Sequence, residues 1–271
     1  MLRGGALALG VGLYGWQLEP RWVEYVRLPM TFTDVRTDLI GKTVVQFSDL
    51  HIGDRFDYGY IELAFARVRK LAPDYVVYTG DYVSYDRPYQ LEQLRNVMRG
   101  APLGQLGTYA VLGNHDYGKA WRESHVADAV ANVLSDASIR VLRNERVFTD
   151  EGLAIYGLDD LWGTRFDPSP TLSLQRNDEP AIALCHNPDV CDLDVWGGWR
   201  GWVLSGHTHG GQVKPPFLPP PVLPVQNERY SAGHIALGEG RDLYVNRALG
   251  HLWPVRFNVR PEVTIFDIRE A

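Results

Sequence analysis

The chain has little cysteine, no excess of positive charge and no apolar run long enough to cross a bilayer. Only two cysteines occur, Cys185 and Cys191, so no disulfide framework staples the fold. Cys185 lies inside an apolar run and reads as a small core residue. Lys and Arg number 27 against 33 Asp and Glu, a formal charge of −6. That balance argues against a nucleic-acid partner, which needs a basic surface. It leaves a phosphorylated substrate open, because bound cations reverse the sign of a carboxylate-rich site. No repeat or linker divides the 271 residues, which suffice for one full core.

The uncharged stretch from Gly4 to Trp16 falls short of the ~20 residues that span a bilayer. It follows Met1–Leu2–Arg3, and no small-x-small cleavage site precedes Gln17–Leu18–Glu19–Pro20. Five glycines between Gly4 and Gly15 disfavour a stable soluble helix. The stretch reads as a short membrane anchor or an uncleaved signal-like segment. Residues 1–20 are then an apolar segment, and 21–271 one domain. The expected location is a membrane, at its cytoplasmic face, with an exported form as the alternative.

What the chain does have is one local pattern, repeated five times. The apolar run Tyr109–Leu112 ends in Gly113–Asn114–His115–Asp116. Val44–Phe47 leads into Ser48–Asp49–Leu50–His51, and Tyr75–Thr79 into Gly80–Asp81. Ala181–Cys185 leads into His186, and Trp202–Ser205 into Gly206–His207–Thr208–His209. Each run is long enough for a buried strand, and each ends in metal-competent side chains. In open α/β sheets, sites form beyond the carboxyl ends of the strands, so the five ends are expected to meet in one crevice.

Between these runs, Ile61, Ala64, Phe65, Val68 and Leu71 share one face at helical spacing, and Pro73 stops the helix. A second helix is expected between Pro88 and Gly100, and a third from Ala120 to Leu134. From Ile139 the period shortens. Strands near 140–142, 146–148 and 153–156 predict a second sheet, completed by Asp242–Arg247, Val255–Val259 and Glu262–Ile268. Alternating β and α followed by mostly β predicts a layered α/β sandwich with two sheets. The Pro-rich run from Pro215 to Val225 can be neither helix nor internal strand. It reads as an extended surface loop: a substrate-flanking wall, a rigid spacer or a peptide ligand.

Imidazole, carboxylate and amide donors together are the ligand set of a borderline divalent metal such as manganese, iron or zinc. Asp49 and His51 alternate by two, so in an extended segment both would point to one face; His207 and His209 repeat this spacing. Asp81 could bridge two ions. Counting donors gives Asp49, His51, Asp81 and His209 for one ion, and Asp81, Asn114, His186 and His207 for the other. His115 is spare as a ligand and suits protonation of a leaving oxygen, with Asp116 holding its tautomer. Arg55 and Tyr117, just past ligands, are candidate substrate contacts. Lys119 stands beside them, Asp159–Asp160 reads as a turn before a supporting carboxylate, and His234 and His251 could approach from loops.

Taken together, Asp49-x-His51, Gly80–Asp81, Gly113–Asn114–His115–Asp116, His186 and Gly206–His207–Thr208–His209 resemble the calcineurin-like metallophosphoesterase superfamily. The resemblance implies a four-layer αββα sandwich with two mixed sheets and a two-metal phosphoester or pyrophosphate hydrolase. The bridging role of Asp81 and the assignment of His207 and His209 to separate ions rest partly on it. Gly210–Gly211–Gln212, the Pro-rich loop, Tyr244–Gly250 and Val255–Glu262 resemble a narrower bacterial branch of short, membrane-associated phosphodiesterases. Some members of that branch hydrolyse UDP-2,3-diacylglucosamine in lipid A synthesis. The implied partner is a phosphorylated small molecule or lipid-linked substrate at a membrane surface; no protein partner is inferable. The competing reading is a non-catalytic scaffold of the same fold, which should have lost ligands that this chain retains.

Overall fold

The computed structural model describes residues 10–53, 57–85, 87–176 and 179–271. Twelve strands form two six-stranded mixed sheets among these residues. In the first, β1 (Glu24–Phe32), β12 (Glu262–Glu270), β2 (Thr43–Phe47), β3 (Tyr75–Thr79), β4 (Gly107–Val111) and β5 (Arg140–Val141) lie in that order. In the second the order is β10 (Gly233–Gly238), β11 (Arg241–Val245), β9 (Gly201–Ser205), β8 (Ala181–Leu184), β7 (Ala154–Gly157) and β6 (Glu145–Phe148). Strands β2 through β5 run parallel, as do β7, β8, β9 and β11.

The sheets pack face to face. Val44, Tyr75, Val77 and Val111 of the first meet Ile155, Ile182, Leu184 and Leu204 of the second in one apolar cluster. Three polar ties cross this interface. Gln46 Nε2 donates to Ser205 O at 3.0 Å, Trp202 Nε1 to Thr31 O at 2.9 Å, and Tyr244 Oη to Glu262 at 2.7 Å. Outside the first sheet lie α1 (Gly59–Arg69), α2 (Gln90–Met98) and α3 (Ser124–Asp136), packed through Phe65, Val68, Leu94, Val130 and Leu134. The second sheet is covered by shorter pieces, α4 (Ser169–Leu172), the turn Pro188–Asp192, and Trp196 and Trp199. The fold is the expected α/β sandwich with two mixed sheets, thin on one outer layer.

Several local expectations shift. Leu71 falls past the end of α1 and is half-exposed. The third helix starts at Ser124 because Gly118, Ala120 and Trp121 all take positive φ, which breaks a helix. β5 joins the first sheet, and the second begins at β6. Glu262–Glu270 enters the first sheet, between β1 and β2, instead of completing the second. Val255–Val259 is no strand, and only an isolated bridge links Val213 to Phe257. The segment wraps the fully buried Arg256, whose guanidinium donates to the carbonyls of Arg247, Val259 and Gly250. The Pro-rich run is a surface loop with Phe217, Leu218 and Val222 exposed. Residues 10–21 are helical and pack through Gly15 against Arg256. No helix among the described residues is long and apolar enough to cross a membrane. Both cysteines are buried and free.

Glu262 is buried, and its carboxylate accepts from Tyr244, Thr264 and Arg247. Removing it would leave the Tyr244 and Thr264 hydroxyls without their acceptor and Arg247 with Glu24 as its remaining carboxylate. Glu262→Ala is expected to cost about 3 kcal/mol in urea unfolding; a loss under about 1 kcal/mol would show the tie to be dispensable.

Candidate active site

The carboxyl ends of β2, β3, β4, β8 and β9 all open into one crevice between the sheets. The chain does not reach it in extended form, as the two-residue alternation predicts. Asp49, His51, Asp81, His207 and His209 all take left-handed backbone, with φ of 52, 48, 56, 70 and 52°. Asp and His tolerate this region better than most residues, yet each such placement costs of order 1–3 kcal/mol. Backbone bonds hold them there: Asp49 N donates to Gly80 O at 2.9 Å, His51 N to Asp81 O at 3.0 Å, and Gly250 N to Asp49 O at 2.8 Å. Gly80 takes a φ of 92°, and a Cβ on it would sit 2.7 Å from His186 Nδ1. A Cβ on Gly206 would strike Ser48 and Asp49.

Two donor groups result, each with ligand atoms within 4.8 Å of one another: Asp49, His51 and His209, and Asp81, His186 and His207. Asp49 Oδ1 lies 3.2 Å from His209 Nε2, and Asp81 Oδ2 lies 3.1 Å from His186 Nε2. The groups adjoin, with His51 Nε2 3.6 Å from Asp81 Oδ2 and His186 Nε2 3.9 Å from Asp49 Oδ1. Three of the outward-facing nitrogens have partners, while His209 Nδ1 is buried without one. His51 Nδ1 meets Ser84 Oγ at 2.8 Å, His186 Nδ1 donates to Thr79 O at 2.7 Å, and His207 Nε2 donates to Pro224 O at 2.9 Å. In their neutral forms, His186 Nε2 and His207 Nδ1 therefore present lone pairs inward. His51 Nε2 faces His209 Nε2 at 3.0 Å, and His186 Nε2 faces His207 Nδ1 at 3.2 Å. Lone pairs converging at these distances need a proton or a cation between them. Asn114 Oδ1, buried beside them, has no hydrogen-bond partner. The donor set fits a pair of divalent cations.

Electrostatics agree. Burial holds His51 well below its ordinary pKa and His207 down to about 3, so both are neutral and able to ligate. Burial pushes Asp49 and Asp81 up, but facing imidazoles more than reverse it: His209 and His186 for Asp49, His186 and His115 for Asp81. Burial opposes charge on His186 too, yet Asp81 and Asp49 together raise it well above the ordinary value, so the ring holds between the carboxylates a proton that a bound cation would displace.

His115 stands at the rim, half-buried, its ring centroid 5.1 Å from that of His51, and its backbone N–H donates to Asp81 Oδ1 at 2.9 Å. Asp116 does not hold it. The Asp116 carboxylate is taken up by backbone N–H groups of Asp81, Tyr82 and Gly113 at 2.8–2.9 Å, so it braces the loops that carry the ligands. Tyr117 is fully buried, bonded to Asp159 and Arg143, and cannot touch substrate. Arg55 lies outside the described residues. Lys119 and His125 are exposed. His234 pairs with Asp242 over Trp202, and His251 stacks on Tyr60 behind the site. Asp159 and Asp160 are both buried, and burial raises Asp160 to about 7. Ser84, Pro224, Trp121 and Trp162 went unforeseen, and nothing in the local sequence marks them. Trp162 lies against His207 at 4.6 Å between centroids and stacks on Trp121 at 4.8 Å.

A family model for calcineurin-like phosphoesterases matches residues 42–211, which contain all of these ligand candidates. The chain belongs to that family. Phosphodiesterase YaeI of Escherichia coli K12 is 31% identical over 267 residues, covering 97% of this chain and 94% of that protein. The uncharacterized metallophosphoesterase YkuE of Bacillus subtilis is 32% identical over 281 residues, 100% of this chain and 94% of its own. UDP-2,3-diacylglucosamine pyrophosphatase LpxG of Chlamydia muridarum is 28% identical over 300 residues, 92% and 90% of the two chains. This calcineurin-like chain is thus a phosphoester hydrolase, with two donor groups at its centre.

Metal analysis of the purified protein is expected to find about two transition ions per chain. Asp81→Asn should lose most of both; full occupancy in that variant would break the paired-site geometry. A second expectation concerns His251, which burial beside Arg256 lowers to about 3. Its unfolded value is near 6.5, so the stability it contributes is present above that value and lost as pH falls toward 3. The loss should reach about 2 kcal/mol by pH 5. His251→Gln should flatten that part of a pH series of denaturant midpoints, and an unchanged slope would refute the assignment.

Proposed function

We propose that this protein hydrolyses a phosphodiester or pyrophosphate bond using two divalent ions, manganese, iron or zinc. Asp49, His51 and His209 would hold one, His186, His207 and Asn114 the other, and Asp81 both. The single observation carrying this reading is the meeting of two buried donor groups through Asp49 and Asp81, with Asn114 Oδ1 unsatisfied beside them. Bound ions at such a pair withdraw charge from the phosphoryl oxygens and make water a nucleophile near neutral pH. The chain's own groups do the rest. The carbonyls of Thr79 and Pro224 fix the tautomers of His186 and His207, and Ser84 orients the His51 ring. His115, at the rim and outside both groups, is placed to protonate the leaving oxygen.

A nucleotide-linked lipid, of the UDP-2,3-diacylglucosamine kind, is the substrate we favour, acted on at a membrane surface from a single domain spanning 21–271. The name and extensive coverage of the LpxG relatives support it. So do Val222 and Trp253, exposed apolar residues on the groove that reaches His207 and His209, with Phe217 and Leu218 exposed on the same Pro-rich loop as Val222.

His115→Ala should keep about two ions per chain while kcat falls ~10²–10⁴-fold; unchanged turnover would remove it from the chemistry. Assaying UDP-2,3-diacylglucosamine beside bis(p-nitrophenyl) phosphate tests the substrate, since hydrolysis of the aryl diester alone would sink the lipid reading.

A further inference from the structure

A groove of about 380 Å³ opens directly from the two histidines of the last motif. His207 and His209 form its inner end, and Pro221, Val222, Trp253 and Val255 line the way out. Its volume is in the range of small-molecule sites. Its walls, however, offer almost nothing to hydrogen-bond. The prolines have no N–H. The Thr208 hydroxyl donates to Ser231 O at 2.7 Å. Gln212 Nε2 donates to the carbonyls of Trp253 and Val255, both at 3.1 Å, and its Oε1 accepts from Leu252 N at 3.0 Å. His207 Nε2 is engaged by Pro224 O. A sugar or a nucleobase placed there would leave its polar groups unpaired. A hydrocarbon would not.

The outer end is apolar as well. Trp253 is 70% and Val222 71% exposed. A ligand that fits is polar at the inner end, where the donor groups take a phosphoryl group, and aliphatic over the rest. We infer that this groove binds an acyl chain of the substrate, holding it between the Pro-rich loop and the 251–255 segment while the phosphoryl group sits at the donor groups. The inference rests on the two-ion reading above and specifies which part of an amphiphilic substrate lies where. It also gives the Pro-rich loop a role: its prolines form a wall with no N–H donors, and its Pro224 carbonyl orients a candidate metal ligand.

The test is calorimetric titration of the manganese-loaded full chain with n-alkyl phosphates from ethyl to decyl, below their micellar concentrations. Affinity should rise about fourfold for each methylene buried, so a chain that buries three or four of them gains roughly hundredfold between ethyl and decyl phosphate. A series flat to within about threefold overturns the groove. Val222→Glu should abolish most of the gain and Val222→Leu retain it, with each variant's thermal midpoint reporting the fold. A full gain in Val222→Glu would also overturn it. Repeating the series after chelation separates this inference from the metal reading. A gain that persists with no effect of metal supports the groove and counts against the ion pair. A flat series with metal-dependent affinity overturns the groove alone.

Discussion

Two carboxylates, Asp49 and Asp81, are withdrawn from water at the seam between two sheets, and everything around them compensates for that. A buried charge without partners is among the costliest features a fold can carry. Here imidazoles from the first sheet's β2 loop and from the second sheet's β8 and β9 loops face them within 3.1–3.9 Å. The sheets must therefore stay in fixed mutual register, or the charges lose their partners. The apolar cluster between the sheets and the ties through Gln46, Trp202 and Glu262 supply that register. The left-handed backbone at five ligand candidates is the local counterpart of the same constraint. Strain of this kind persists only where surrounding bonds over-determine it.

Much of this was legible before any coordinates. An apolar run ending in Asp, Asn or His is a local signal, so the five ligand strands and both donor groups could be read directly. Sheet membership is not local. A run of alternating or continuous apolar residues looks the same in either sheet, which is why Glu262–Glu270 and Arg140–Val141 were expected in the wrong one. Val255–Val259 carries the composition of a strand, but the buried Arg256 gathers three carbonyls that a ladder would otherwise use.

The misread site residues share a cause. Asp116 and Tyr117 follow His115 directly, and adjacency in sequence suggested adjacency in role. Each instead turns inward, Asp116 to three backbone amides and Tyr117 to Asp159 and Arg143. Such partners lie 34–42 residues away for Asp81, Tyr82 and Asp159, and no short-range pattern encodes them. The same holds for Ser84 and Pro224, which hydrogen-bond the His51 and His207 rings from other loops.

The position of β12 has a consequence for how the molecule is made. The last strand lies between β1, to which it is parallel, and β2, to which it is antiparallel. β1 therefore has no neighbour in its sheet until residues 262–270 have been synthesised. During synthesis, β1 must wait as an unpaired edge, exposed to mispairing with other chains. Pairing between segments so far apart in sequence forms slowly, which lengthens the time β1 spends unpaired.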